Sequence, residues 1–140
     1  MGKILCATRG GEASYRAQDA AIALAKERGD TLLFLYVVDL HFLDKTAGSG
    51  VVDVEQEVTK MGEFLLLMAK ERAAEQDVAA ETICRKGEVR EELKNAAREE
   101  EASLVVLGRP ADVESVFKLT DLEDFAAEIE NETGVETRII

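Results

Sequence analysis

Residues Thr31 to Val38 read TLLFLYVV: an apolar run in which only Thr31 and the Tyr36 hydroxyl are polar, with no alternation along it. A strand with one face in water would alternate apolar with polar. An unbroken run therefore predicts a strand covered on both faces, the condition met in parallel sheets sandwiched between helices. Upstream, Ala13, Ala17, Ala20, Ala21 and Leu24 recur at helical spacing, and Gly29 stands where a left-handed cap would end that helix. Before them, Lys3 to Thr8 reads as a short buried strand closed by Arg9-Gly10-Gly11. Strand, helix and strand in that order make one parallel unit.

Downstream, Asp39 to Asp53 carries Gly48-Ser49-Gly50 and no sustained period, which predicts a long connection and the best candidate for a mobile flap. Val58, Met61, Leu65, Met68 and Ala69 mark a second helical face, widened by Phe64, Leu66 and Leu67 as if it met two neighbours. Met61 and Met68 read as ordinary core. Val78 to Cys84 is the third strand candidate, followed by Arg85-Lys86-Gly87 and a helix with Val89, Leu93, Ala96 and Ala97 inward and a charged outer face. Leu104 to Leu107 gives a fourth strand, and Leu122, Phe125, Ala126 and Ile129 the inner face of a last helix. Thr120 and Glu123 fit a capping box for it, Gly134 its far cap, and Val135 to Ile140 a terminal strand. With right-handed crossovers this order predicts one α/β domain over 1–140, a three-layer sandwich with a five-stranded parallel sheet and helices on both faces.

Composition narrows the function. Hydrophobic residues make up 46% of the 140, enough for a core, and 17 basic against 29 acidic residues leave a net charge of −12. That balance repels nucleic acid and anionic membrane, so neither is an expected partner. Apolar runs fall far short of the ~20 residues of a membrane span, and MGKILCATRGG has too short an apolar segment for a secretory signal, so a cytoplasmic protein is expected. Cys6 and Cys84 lack CxxC or Cys/His company and read as reduced, packed thiols, with no metal site. His41, the single histidine, sits in the predicted loop without a nameable partner. No Ser-His-Asp set, Cys-His pair, HExxH or Walker lysine appears, which argues against an enzyme.

KILCATRGGEAS before an alanine-rich helix, LLFLYVVD after it, and GEVREELKNAAREEEASLVVLGRP together resemble the universal stress protein family. The resemblance implies strand order 3-2-1-4-5, with the first and fourth strands flanking the nucleotide cleft of ATP-binding members. Those members end the first strand on an aspartate, in a pattern like V-D-G-S; here that position is Arg9. They also carry Gly-x2-Gly-x9-Gly-Ser/Thr after the fourth strand, where glycines let backbone amides reach the phosphates. Counted from Gly108 the later positions are Ala111, Asp121 and Leu122, so only the first glycine matches. Pro110 removes a donor, and Asp112, Glu114, Asp121, Glu123 and Asp124 repel phosphate. No cofactor is expected, and ATP or AMP would need contacts other than the family's.

In place of that cradle, Arg9 and Arg109 are predicted to leave adjacent strands, with Gly10 and Gly11 opening a helix N-terminus and Gly108 beside them. Two guanidiniums and a helix dipole make a candidate site for phosphate, sulfate or a carboxylate metabolite. The plainer alternative pairs each arginine with a nearby acid. Ser14 reads as a helix-start residue offering its hydroxyl to backbone amides. The resemblance also implies a homodimer, since terminal strands of two subunits often pair in that family; here the strand would offer Val135, Thr137, Ile139 and Ile140. The leading expectation is thus a homodimeric regulatory or scaffolding module with an unidentified protein partner. The alternatives are a nucleotide-binding switch or weak ATP hydrolase with altered phosphate contacts, covered by the Leu40 to Val52 loop, and a small-anion or metabolite-binding module.

Overall fold

The computed structural model describes residues 2–9, 12–39, 50–109 and 116–140. In chain order they form β1 (Lys3–Ala7), α1 (Glu12–Arg28), β2 (Thr31–Val38), α2 (Gly50–Glu75), β3 (Ala80–Lys86), α3 (Val89–Glu99), β4 (Leu104–Leu107), α4 (Val116–Thr133) and β5 (Glu136–Ile139). The five strands make one parallel sheet in the order β3-β2-β1-β4-β5, the α/β sandwich expected.

Alternate residues of the inner strands enter two separate cores, as the pleat requires. Ile4, Cys6, Leu32, Phe34, Leu104 and Val106 point to the side covered by α1 and α2, where they meet Ala17, Ala21, Leu66 and Ala69. Leu5, Leu33, Leu35, Val105 and Leu107 point to the other side and meet Leu93 and Ala97 of α3 and Phe125 and Ile129 of α4. This two-sided burial explains why TLLFLYVV shows no alternation. The chain stops α1 and α4 at Gly29 (φ 69°) and Gly134 (φ 74°), a left-handed conformation in which a Cβ would be strained.

Several sequence expectations need correction. Helix α2 starts at Gly50, inside the stretch read as connection, while 40–49 and the flap expectation, with His41, lie outside the described residues. Met61 is 58% exposed rather than core, as are Phe64 at 61% and Leu67 at 52%, because the buried face of α2 runs through Gly62, Leu66, Ala69 and Ala73. Strand β3 begins two residues after Val78, which is buried in the turn entering it, and Arg85 and Lys86 belong to the strand. Val89 is 40% exposed, and Lys94 takes a buried place on α3 instead. Helix α4 starts at Val116, so Thr120 lies inside it and cannot be an N-cap. No described helix is long and apolar enough to cross a membrane.

Candidate functional site

In a parallel sheet of this order, β1 and β4 are neighbours whose chains depart to opposite sides, and ligands collect where they part. The hydrogen bonds show the parting. At the end of β1 the Thr8 amide donates to the Leu35 carbonyl (2.8 Å), so the chain stays with β2. At the end of β4 the Arg109 amide donates to the Ile140 carbonyl (2.7 Å), so that chain stays with β5. The β1–β4 register pairs Ile4 with Leu104 and Cys6 with Val106, and Arg9 and Arg109 each lie three residues beyond that last pair, past the point where the strands part.

Around this opening the first turn of α1 is tied down from within. Ser14 is buried, and its Oγ accepts the Arg9 amide (2.9 Å); it lies inside α1, which begins at Glu12, so the amide it satisfies belongs to the end of the strand and not to the helix start its sequence position predicted. Gln18, one turn on and 2% exposed, donates through Nε2 to Thr8 Oγ1 (2.6 Å), while its Oε1 has no partner among the described residues. These bonds fix the strand-to-helix turn and use up the Arg9 amide, which leaves the Arg9 side chain as the chemical offering of that residue. Both Arg9 and Arg109 are exposed, Gly108 is half-buried, and neither guanidinium makes an ion pair with a described residue. Gly10 and Gly11, together with Pro110 to Ser115, lie outside the described residues.

Sequence reasoning missed two supports of this end of the sheet. Asp39, just past β2, accepts the Val89 amide through Oδ2 (3.0 Å) and so caps α3 from outside, where Glu88 makes no side-chain cap bond. Gln18 and Thr8 form the buried pair described above. Both partnerships join residues distant in sequence, so no local spacing signals them. Elsewhere a concavity of about 660 Å³ lies between the C-terminal halves of α1 and α2, lined by Asp19, Ile22, Lys26, Arg72 and Glu75. Helices run antiparallel to the strands here, which puts that groove at the opposite end of the sheet from Arg9 and Arg109. No cluster of metal-ligating side chains occurs among the described residues.

The predicted interface residues lie on an edge. The Ile140 amide donates to the Leu107 carbonyl (2.9 Å), and parallel ladders alternate, so Glu136 and Arg138 also turn their amides to β4. Thr137 and Ile139 then direct their N–H and C=O groups away from the sheet. Val135 and Ile139 lay their side chains on the α3/α4 core, whereas Ile140 is 38% exposed.

Comparison with known proteins gives this arrangement its relatives. The family model for the universal stress protein family matches residues 1–117. Universal stress protein YxiE of Bacillus subtilis (strain 168) is 39% identical over 116 residues, spanning 77% of this chain and 78% of that protein. Among solved structures, a universal stress protein family member from Burkholderia pseudomallei superposes with a TM-score of 0.74 at 28% identity, covering 99% of this chain and 95% of that one. A universal stress protein crystallised in complex with cAMP shares the fold, with a TM-score of 0.70 at 17% identity over 99% of this chain and 96% of that one.

Proposed function

The chain belongs to the universal stress protein family, and we propose that it works as a non-catalytic, cytoplasmic regulatory module of one domain that pairs with a second copy of itself through β5. The observation that carries this reading is the outer edge of β5, where Thr137 and Ile139 hold in line backbone donors and acceptors that have no partner among the described residues. A sheet edge of that kind is a template for another strand, and a two-fold axis lets two identical edges satisfy each other. Arg9 in the aspartate position and the missing later glycines speak against ATP held in the family's usual way.

Thr137→Pro tests the pairing. It removes one outward donor per copy, and the bonds from β5 to β4 leave from Glu136, Arg138 and Ile140 instead. Sedimentation should show a dimer of the parent chain at micromolar concentration, with the variant's dissociation constant weakened about 10- to 100-fold for two lost hydrogen bonds. An unchanged dimer would refute the edge.

A second reading rests on a different observation, the two exposed arginines at the β1–β4 opening, which have no ion-pair partner among the described residues. They suit a small phosphate- or carboxylate-bearing ligand. Thermal unfolding with phosphate, sulfate, AMP, cAMP and ATP, with and without magnesium, separates the outcomes; cAMP is included because a protein of this fold was crystallised with it. Ligand at a hundredfold above its dissociation constant adds about 2.7 kcal/mol. Shifts common to all the phosphates and lost in Arg9→Ala, Arg109→Ala favour the anion site. A shift for ATP with magnesium alone favours a nucleotide switch, and none at all leaves β5 pairing as the chain's function.

A further inference from the structure

Helix α2 is apolar on the side that faces water as well as on the side that faces the sheet. Gly62, Leu66, Ala69 and Ala73 are buried, while Met61, Phe64 and Leu67 are 58%, 61% and 52% exposed, with half-buried Met68 beside them. Single exposed apolar residues are commonplace, but three large ones together on one surface mark an interaction site. What covers this one is indicated by the charges around it.

Lys60, Phe64, Leu67 and Glu71 follow one another at spacings of four, three and four, so they form a single row along the helix. The spacing reads the same in both directions, and its two ends carry opposite charge. Laid antiparallel on a second α2, the row sets Phe64 against the partner copy's Leu67 and Lys60 against its Glu71, each twice. The flanking residues fit the same register, because a two-fold axis keeps each flank of the helix against the same flank of its copy: Glu63 comes near the partner copy's Lys70, an unlike pair, and Met61 near its Met68. A parallel arrangement would instead set Lys60 on Lys60 and Glu71 on Glu71. Neither Lys60 nor Glu71 forms an ion pair with a described residue of its own chain, so both are free for this use.

We propose that this face of α2 is a docking surface for α2 of a second copy, joined antiparallel about a two-fold axis that passes between Phe64 and Leu67. The contact is self-complementary, as an isologous interface must be, and its row spacing is that of packed helix pairs. It is separate from β5, because α2 packs over β2 and β3 at the other end of the strand order. A chain with both contacts grows beyond a dimer as concentration rises.

Sedimentation velocity on the full chain across a hundredfold concentration range, followed by charge exchange, decides it. Phe64→Asp should remove the higher association step and leave the unfolding midpoint close to that of the parent, since the side chain is exposed. Lys60→Glu and Glu71→Lys should each weaken the step about tenfold, the worth of two rim ion pairs turned repulsive. The doubly exchanged chain, Lys60→Glu with Glu71→Lys, should regain the parent affinity, which no foreign partner surface would produce. Failure of the double exchange to restore association overturns the proposal, as does a parent chain with no step that Phe64→Asp removes. Thr137→Pro acts on the other step, so either contact can fail without the other.

Discussion

The two faces of the sheet are held by different chemistry. Under α1 and α2 the buried contacts are close and neutral: five buried alanines of α1 and α2 pack in one cluster with Phe34, Cys6 and Ile4, Gly62 lets the Tyr36 ring lie directly against the α2 backbone, and the Arg72–Asp19 pair between the helices lies outside this core. Under α3 and α4 the apolar contacts are joined by a knot of charge. Lys94 is 3% exposed, and its Nζ reaches Glu132 (2.8 Å), Glu91 (3.1 Å) and Glu128 (3.4 Å). Arg90 adds an ion pair to Glu128 (3.6 Å) and stacks 5.1 Å from the Phe125 ring centre. A neutral face resists change of volume and ignores pH; a charged one tolerates volume better and answers to protons. The sheet carries both because each inner strand feeds alternate residues to each side.

The largest expected effects come from emptying either core. Phe34→Ala should cost about 3–5 kcal/mol and Leu33→Ala about 2–5 kcal/mol in urea unfolding. Their difference lies in what each uncovers. Cys6 pairs in register with Phe34 on the neutral face, and burial pushes its thiol up to about 12. Thiol labelling at Cys6 should therefore accelerate in Phe34→Ala and stay slow in Leu33→Ala; equal acceleration would mean the two cores are one.

Gly62→Ala is next. Helix propensity favours alanine by about 1 kcal/mol, but the new Cβ would meet the Tyr36 ring, so a net loss of about 1–2 kcal/mol is expected. A stabilised variant would show that α2 can lift off the sheet cheaply. On the opposite face, Asp39→Ala removes the bond to the Val89 amide and should lower stability by about 1 kcal/mol, read as faster amide exchange in the first turn of α3.

Protons should distinguish the faces last and most subtly. The bond from Lys94 holds the Glu132 carboxyl below its ordinary 4.5, so its contribution is complete above that value and disappears as pH falls through the lowered value. The same knot, led by Glu132, raises Lys94 above the usual lysine range, and that share persists until strong alkali. Glu132→Gln should thus flatten the acid limb of a stability-versus-pH curve and leave the neutral face untouched. A limb of unchanged steepness would place acid sensitivity elsewhere. Labelling of the native protein should find Cys84, half-buried, reacting slowly, since burial and Glu63 raise its thiol, and Cys6 not at all.

The parts of this fold legible in the sequence are those where one physical requirement acts alone. Strands β2 and β4 must be apolar on both faces, and their limits match the apolar runs residue for residue. Gly29 and Gly134 stop helices because the backbone there is left-handed. Strand β3 misled because it is an edge: Glu81 and Thr82 are exposed, and buried Val78 belongs to the turn after Asp77 (φ 60°). Met61, Phe64 and Val89 misled because hydrophobicity does not say which surface an apolar residue will meet. At the candidate site the strand ends carrying Arg9, Gly108 and Arg109 were readable from the strand order the resemblance implied. The Gln18–Thr8 and Asp39–Val89 bonds were not, because each joins elements that only the folded chain brings together.

The position of β1 also sets a timetable. It occupies the centre of the sheet, yet its partner on one side, β4, follows it by about 100 residues, since Ile4 pairs with Leu104. During synthesis at ~5–20 residues per second, β1 and β2 can pair early while the other edge of β1 stays open for about 5–20 s. A three-stranded β3-β2-β1 intermediate with one bare central edge is therefore built into the order of the chain, and β4 competes there with any neighbouring nascent copy. Folding speed, and the yield of soluble protein at high expression, should depend on how soon Leu104 to Leu107 arrives.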